Sequence, residues 1–205
     1  MNNKITILDI ANYILFHFQN KSNSILHKKL QKLLYYVKVW SYIADQPLID
    51  EPFYLCEQGP INKTIYSQYG LFDSVPIPKP NKSFHFSQKI ETLINFIVEN
   101  YVELDAMILS QLIHTEIKNL NTGKNQLISY ASIKLFYSNL PFAKNFPLDK
   151  NKPFYPIITP MDYAFILDFD DSYFDFSNGH FRFKNYSEYK KQKIKINKQL
   201  QAIFG

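Results

Sequence analysis

Residues 26–44 read LHKKLQKLLYYVKVWSYIA, and this stretch decides the fold. Leu26, Leu30, Leu33, Leu34, Val37, Trp40, Ser41 and Ala44 recur at steps of three and four, which lines them along one side of a helix of about five turns. That side is read as core. The opposite side carries Gln31, Tyr35, Lys38 and Tyr42, again three and four apart, so aromatic rings alternate with polar or cationic groups. Two readings of it stand: a surface that meets a partner, or rings covered by neighbouring helices.

Upstream, Thr6 with Asp9 forms a capping-box pattern, and Ile7, Ile10, Ala11, Ile14, Leu15 and Phe18 follow one helical stripe to about Gln19. The polar break from Asn20 to Ser24 is short, which predicts an antiparallel pair with the long helix. Downstream, Pro47, Pro52 and Pro60 exclude a continuous helix. Gly59 and Pro60 read as a turn, with Pro60 at the first position of a short helix through Ile61, Ile65 and Tyr66 and Gly70 after its end. Residues 75–86, with three prolines, read as an exposed loop.

A fourth helix is marked by Ile90, Leu93, Ile94, Ile97, Val98 and Tyr101. A fifth is capped by Asp105 and lined by Ile108, Leu109, Leu112, Ile113 and Ile117. A sixth runs from Ser129 through Ile133, Phe136 and Tyr137 to about Leu140. The pattern changes after Pro141. The segment AFILDFDDSYFDFSNGHFRFKNY alternates as strands do, and Asn178-Gly179 predicts a two-residue hairpin turn with Phe176 opposite Phe181, Asp175 opposite Arg182 and Phe174 opposite Phe183. A basic helix from about Ser187 to Phe204 closes the chain. The predicted class is mainly α: a bundle of about six helices over residues 1–140, then an extension over 141–205 with a β-hairpin and a basic amphipathic helix.

Of 23 basic and 18 acidic residues, seven basic and one acidic lie between Arg182 and Lys198, a local charge of +6 that leaves the remainder at −1. The pI near 9.0 therefore describes a tail. Lys190, Lys191 and Lys195 in that tail are candidate contacts for an acidic protein surface or for nucleic acid. The single cysteine, Cys56, excludes an intramolecular disulfide framework, and with no leader pattern at the start the expected setting is cytoplasmic. No apolar run reaches the roughly 18 residues of a membrane span.

No catalytic chemistry is legible. The five histidines are scattered without a ligand spacing, so no metal or cofactor is expected. Asp168, Asp170, Asp171 and Asp175 fail a calcium loop, because Tyr173 stands where its glycine belongs and Gly179 where its glutamate belongs. Cys56 reads as a small packed residue and His114 as a buried histidine within the bundle, with an interface role as its alternative. The expectation is a non-enzyme.

The order of these features resembles the Panacea domain, the SocA-like antitoxin family. The resemblance runs through KLQKLLYYVKVW, QPLIDEPFYLCEQGPINKTIY, LSQLIHTE and ISYASIKLFY, across about residues 6 to 140. Leu30, Gln31, Lys32, Leu33, Leu34, Tyr35 and Tyr36 match the family's first motif. Pro47, Leu48 and Glu51 match the second, Gly59, Pro60 and Tyr66 the third, and His114 with Glu116 the fourth. The chain departs from the pattern around Tyr54 and Leu55 and at Ile61 and Ile113.

The resemblance implies an antitoxin that neutralises a cognate protein toxin, encoded by the adjacent gene, through direct contact. On that reading Tyr35, Lys38 and Tyr42 would meet the toxin, with Gly59, Pro60 and Tyr66 shaping the adjoining turn. Leu33, Leu34 and Trp40 would be core. The alternatives are an adaptor or phage accessory protein that delivers a partner to a protease, and a nucleic-acid-binding autoregulator.

Overall fold

The computed structural model describes residues 4–19, 24–82, 84–118, 125–157 and 171–204, and the chain divides into two compact units, Met1–Ser138 and Asn139–Gly205. The fold is mainly helical, with seven α-helices and two small antiparallel strand pairs among the described residues. No described helix is long and apolar enough to cross a membrane.

The first unit is assembled around helix α2, His27–Ile43. It touches α1 (Ile7–Phe18), α3 (Lys63–Tyr69), α4 (Gln88–Glu99), α5 (Ala106–Lys118), α6 (Tyr130–Tyr137) and strand β2 (Gly59–Ile61). Of the 17 residues of α2, all but Lys28, Tyr42 and Ile43 are buried, so the helix has no solvated side. An apolar stripe alone would leave the other side wet. Here that side carries long side chains whose polar tips find partners inside the protein, which is the condition for burying them.

The helix ends follow their local chemistry. Thr6 Oγ1 accepts from the Asp9 amide at 3.2 Å and Asp9 Oδ2 accepts from the Thr6 amide at 2.9 Å, the expected capping box. Asp105 Oδ1 accepts from the Ile108 amide at 2.7 Å, and Ser129 Oγ from the Ser132 amide at 3.0 Å.

Two loops depart from expectation. Pro60 does not open a helix: β1 (Tyr54–Cys56) pairs with β2 in the register Tyr54↔Ile61, Leu55↔Pro60, Cys56↔Gly59. Gly59 takes φ +101° beside the two-residue connection, a conformation that glycine alone adopts without strain. Helix α3 starts later, with Asn62 Oδ1 accepting from the Ile65 amide at 3.0 Å. The proline loop is also pinned at one point: Ile77 is 2% exposed, its amide donates to the Ile25 carbonyl at 3.1 Å, and Gln19 Nε2 donates to its carbonyl.

The second unit has an aromatic core of its own. A 3-10 turn at Pro141–Asn145 supplies Phe142, and Phe154 exchanges backbone hydrogen bonds with Phe183 at 3.0 and 2.9 Å. Tyr173 stacks on Phe183 at 4.7 Å, and Tyr189 from α7 (Tyr186–Phe204) packs on Phe154 at 4.6 Å.

The hairpin exists, but its register differs from the sequence expectation. Strand β3 (Phe174–Asp175) pairs with β4 (His180–Phe181) as Phe174↔Phe181 and Asp175↔His180. Asp175 therefore does not face Arg182. Its carboxylate instead accepts from the amides of Ser177 and Asn178 at 3.1 and 3.2 Å and from Asn178 Nδ2 at 2.9 Å, closing a four-residue loop before Gly179 turns the chain at φ +65°. The apolar half of the expected strand run, through residue 170, lies outside the described residues, as do Asp168 and Asp170.

Candidate functional site

Three of the residues expected on a partner-facing side of the long helix do not form such a face. Tyr35 is 0% exposed and Lys38 3%, and Gln31 is buried too; only Tyr42 reaches the margin, where it packs on Tyr130 at 4.5 Å. Helix α6 and the segment after α2 cover Tyr35 and Lys38, and the junction between β2 and α3 covers Gln31. Lys38 Nζ donates to the carbonyls of Ile49 at 2.8 Å and Glu51 at 3.1 Å and to the Tyr130 hydroxyl at 2.9 Å. Burial holds its pKa down to about 8, with Asp50 and Glu51 opposing the shift. The Tyr35 hydroxyl lies 3.1 Å from that of Tyr137, and desolvation raises its pKa.

Tyr35 belongs to a cluster centred on Glu116. Glu116 Oε2 accepts from the hydroxyls of Tyr137 at 2.7 Å and Tyr36 at 3.1 Å. Tyr36 stacks on Tyr101 at 3.8 Å, and Trp40 Nε1 donates to the Tyr101 hydroxyl at 2.6 Å. Glu116 is half-buried as a residue, yet its carboxylate is enclosed, and desolvation raises its pKa to about 7 against the pull of the two phenol donors. Trp40, Leu30, Leu33 and Leu34 are core, as expected. His114 is half-buried, and the acid two positions on is the residue that enters the interior.

The open site lies at the start of α2. The Gln31 side chain clamps the backbone of Asn62, accepting from its amide at 2.9 Å and donating to its carbonyl at 3.1 Å. This clamp fixes the β2–α3 junction against α2. Between them lies a cleft of about 280 Å³, lined among others by His27, Lys28, Lys32, Pro60, Tyr66 and Asp73. Pro60 and Gly59 are buried beneath it, while Tyr66 is 57% exposed at its rim with its ring edge-on to His27 at 5.3 Å.

The charges in the cleft are unequal. Lys28 pairs with Asp73 at 3.1 Å, whereas Lys32, 3% exposed, makes one long donation of 3.4 Å to the Lys28 carbonyl. Burial, then the neighbouring Lys28, hold the Lys32 pKa down to about 8, and burial lowers that of His27. The sequence pointed to Gly59, Pro60 and Tyr66 as a turn beside the contact surface, and to Gln31 and Lys32 as parts of the long helix's motif, but not to His27 or Lys28 as their companions. The available signal was the pair of four-residue steps, His27 to Gln31 and Lys28 to Lys32, on the first turns of one helix.

The remaining candidates lie in the second unit, where Lys190, Lys191 and Lys195 are exposed along α7 and Lys190 sits 5.0 Å from the Tyr186 ring centre. Cys56 is half-buried, with Sγ 3.7 Å from Asn125 Oδ1. No group of three or more potential metal ligands occurs among the described residues. In comparisons with family models, curated proteins and solved structures, the chain matches none.

Proposed function

We propose that this protein is a non-enzymatic cytoplasmic antitoxin, that it neutralises a protein toxin encoded by the adjacent gene through direct contact, and that the cleft at the start of α2 belongs to the contact surface. The observation that carries the reading is convergence. Gln31 and Lys32 from the first motif meet Gly59, Pro60 and Tyr66 from the third, and the Gln31–Asn62 clamp holds the two segments together around an open cleft. Residues remote in sequence that converge on a concave, aromatic-rimmed and cationic site suit a binding role. The Tyr35 and Lys38 part of the expected contact surface is withdrawn, because both side chains are spent on internal hydrogen bonds.

The test is co-expression with the product of the neighbouring gene, scored for growth and for co-purification. Rescue with a stoichiometric complex is expected, and Tyr66→Ala should weaken both while leaving the fold intact. Toxicity without rescue, or no complex, would overturn the reading.

The exposed lysines of α7 favour a second reading, binding to nucleic acid. It requires binding to the operon's own DNA that falls steeply with salt, and Lys190→Glu with Lys191→Glu should abolish it.

A further inference from the structure

Two lysines of α2 are equally buried and differently served. Lys38 reaches two carbonyls and a hydroxyl within 3.1 Å, and its ammonium is satisfied by the fold. Lys32 has one acceptor at 3.4 Å, near the limit of a hydrogen bond, and its remaining donors are unmatched among the described residues. A buried ammonium is costly unless something compensates it. Lys32 lines the open cleft, where Asp73, the carboxylate of the lining, is already paired with Lys28. The first turn of α2 adds the positive end of a helix whose N-cap, Leu26, offers no side-chain acceptor.

We infer that the cleft receives a carboxylate from an acidic side chain of the bound protein, with Lys32 Nζ as its principal donor and the Tyr66 ring as the wall against which the acid's methylene groups lie. The assignment rests on the reading of the cleft as part of a protein-binding surface. At about 280 Å³ the cleft is at the small end for a whole ligand and suits one side chain better than a nucleotide. Lys28 and Asp73, paired with each other at 3.1 Å, form the rim past which the acid enters. A partner carboxylate would complete the coordination that the fold supplies for Lys38 and withholds from Lys32.

The test has two arms on the full chain. In the first, the Lys32 side chain is followed by NMR while the protein is titrated with N-acetylglutamate amide, N-acetylglutamine amide and inorganic phosphate. The glutamate compound should shift Lys32 saturably and raise its pKa above about 8, and the glutamine compound should not. No saturable shift, an equal shift with glutamine, or tighter binding of phosphate would each overturn the assignment. In the second arm, Lys32→Met should weaken the toxin complex about tenfold and Lys32→Arg should restore most of that loss.

A toxin complex of unchanged affinity in a folded Lys32→Met protein would sink the assignment and spare the antitoxin reading. A carboxylate response at Lys32 without any toxin complex would do the reverse. If Lys32→Met fails to fold, the first arm decides alone.

Discussion

Lys38 Nζ lies 2.8 Å from the Ile49 carbonyl and 2.9 Å from the Tyr130 hydroxyl, which itself donates to the same carbonyl at 2.9 Å. One ammonium thus ties the middle of α2 to the segment that follows it and to the start of α6. Lys38→Met keeps the stem and removes the donors, leaving the Glu51 carbonyl without its ammonium partner and the Ile49 carbonyl with the Tyr130 hydroxyl alone. The expected cost is about 3 kcal/mol, read as a lower urea midpoint at unchanged slope.

Glu116 makes stability depend on pH in the acid range. An unfolded glutamate loses its proton near its ordinary value of 4.5, while the folded carboxyl keeps it to about 7. The folded state therefore binds more protons in that window, so this contribution is full below pH 4.5 and is lost as pH rises through about 7. Glu116→Gln retains an acceptor for Tyr36 and Tyr137 and should flatten this part of a stability–pH profile measured by urea unfolding. An undiminished slope in the variant would assign the effect elsewhere.

On the alkaline side the signs reverse and then reverse again. Lys32 and Lys38 release protons near pH 8 when folded but near 10.5 when unfolded, so deprotonation relieves their burial and stability should rise over that interval. Tyr35, Tyr36, Tyr101 and Tyr137 are held above the ordinary value of 10 by burial, so their contribution is full below pH 10 and lost at higher pH. Thermal melts should show a maximum near pH 10, and Lys38→Met should reduce the rise that precedes it.

Gln31→Leu preserves volume and deletes the clamp on Asn62. The Asn62 amide then loses its partner at 2.9 Å, while its carbonyl loses the Gln31 donor at 3.1 Å and keeps the Tyr66 amide at 3.0 Å. A loss of about 2 kcal/mol is expected, together with faster amide exchange at the β2–α3 junction than elsewhere.

Gly59→Ala tests the turn rather than the packing. An added Cβ would meet Lys32 and Ile113 only at ordinary contact distances of 3.8 and 3.9 Å, but φ +101° is strained for alanine. The expected cost is about 1–3 kcal/mol in a denaturation curve.

The helices of the first unit were legible because their periodicity and caps are local: Thr6, Asp105 and Ser129 each sit where a cap belongs and each bonds the expected amide. The far side of α2 was not legible. Three- and four-residue spacing places Tyr35 and Lys38 on a face but cannot say what covers it, and the acceptors that admit Lys38, the carbonyls of 49 and 51, belong to backbone with no sequence signature. The first hairpin escaped notice because its strands are three residues long and one holds Pro60. The second was seen in the wrong register because Asn178-Gly179 suggested a two-residue turn, whereas the Asp175 side chain organises a longer one. Of the cleft, the turn residues were readable and the clamp that positions them was not.

The burial of α2 on every side constrains how such a protein can change its habits. A substitution along most of this helix alters the interior before it alters any contact with the outside world, so the sequence most characteristic of the chain is also the least free to drift. New recognition would have to be written on the periphery, at positions such as Tyr66 and the rim of the cleft, or along the lysine-rich surface of α7. Beyond its first turns, where Lys28 and Lys32 line the cleft, the inner helix then behaves as an axle: indifferent to the identity of the partner, and intolerant of being remade for it.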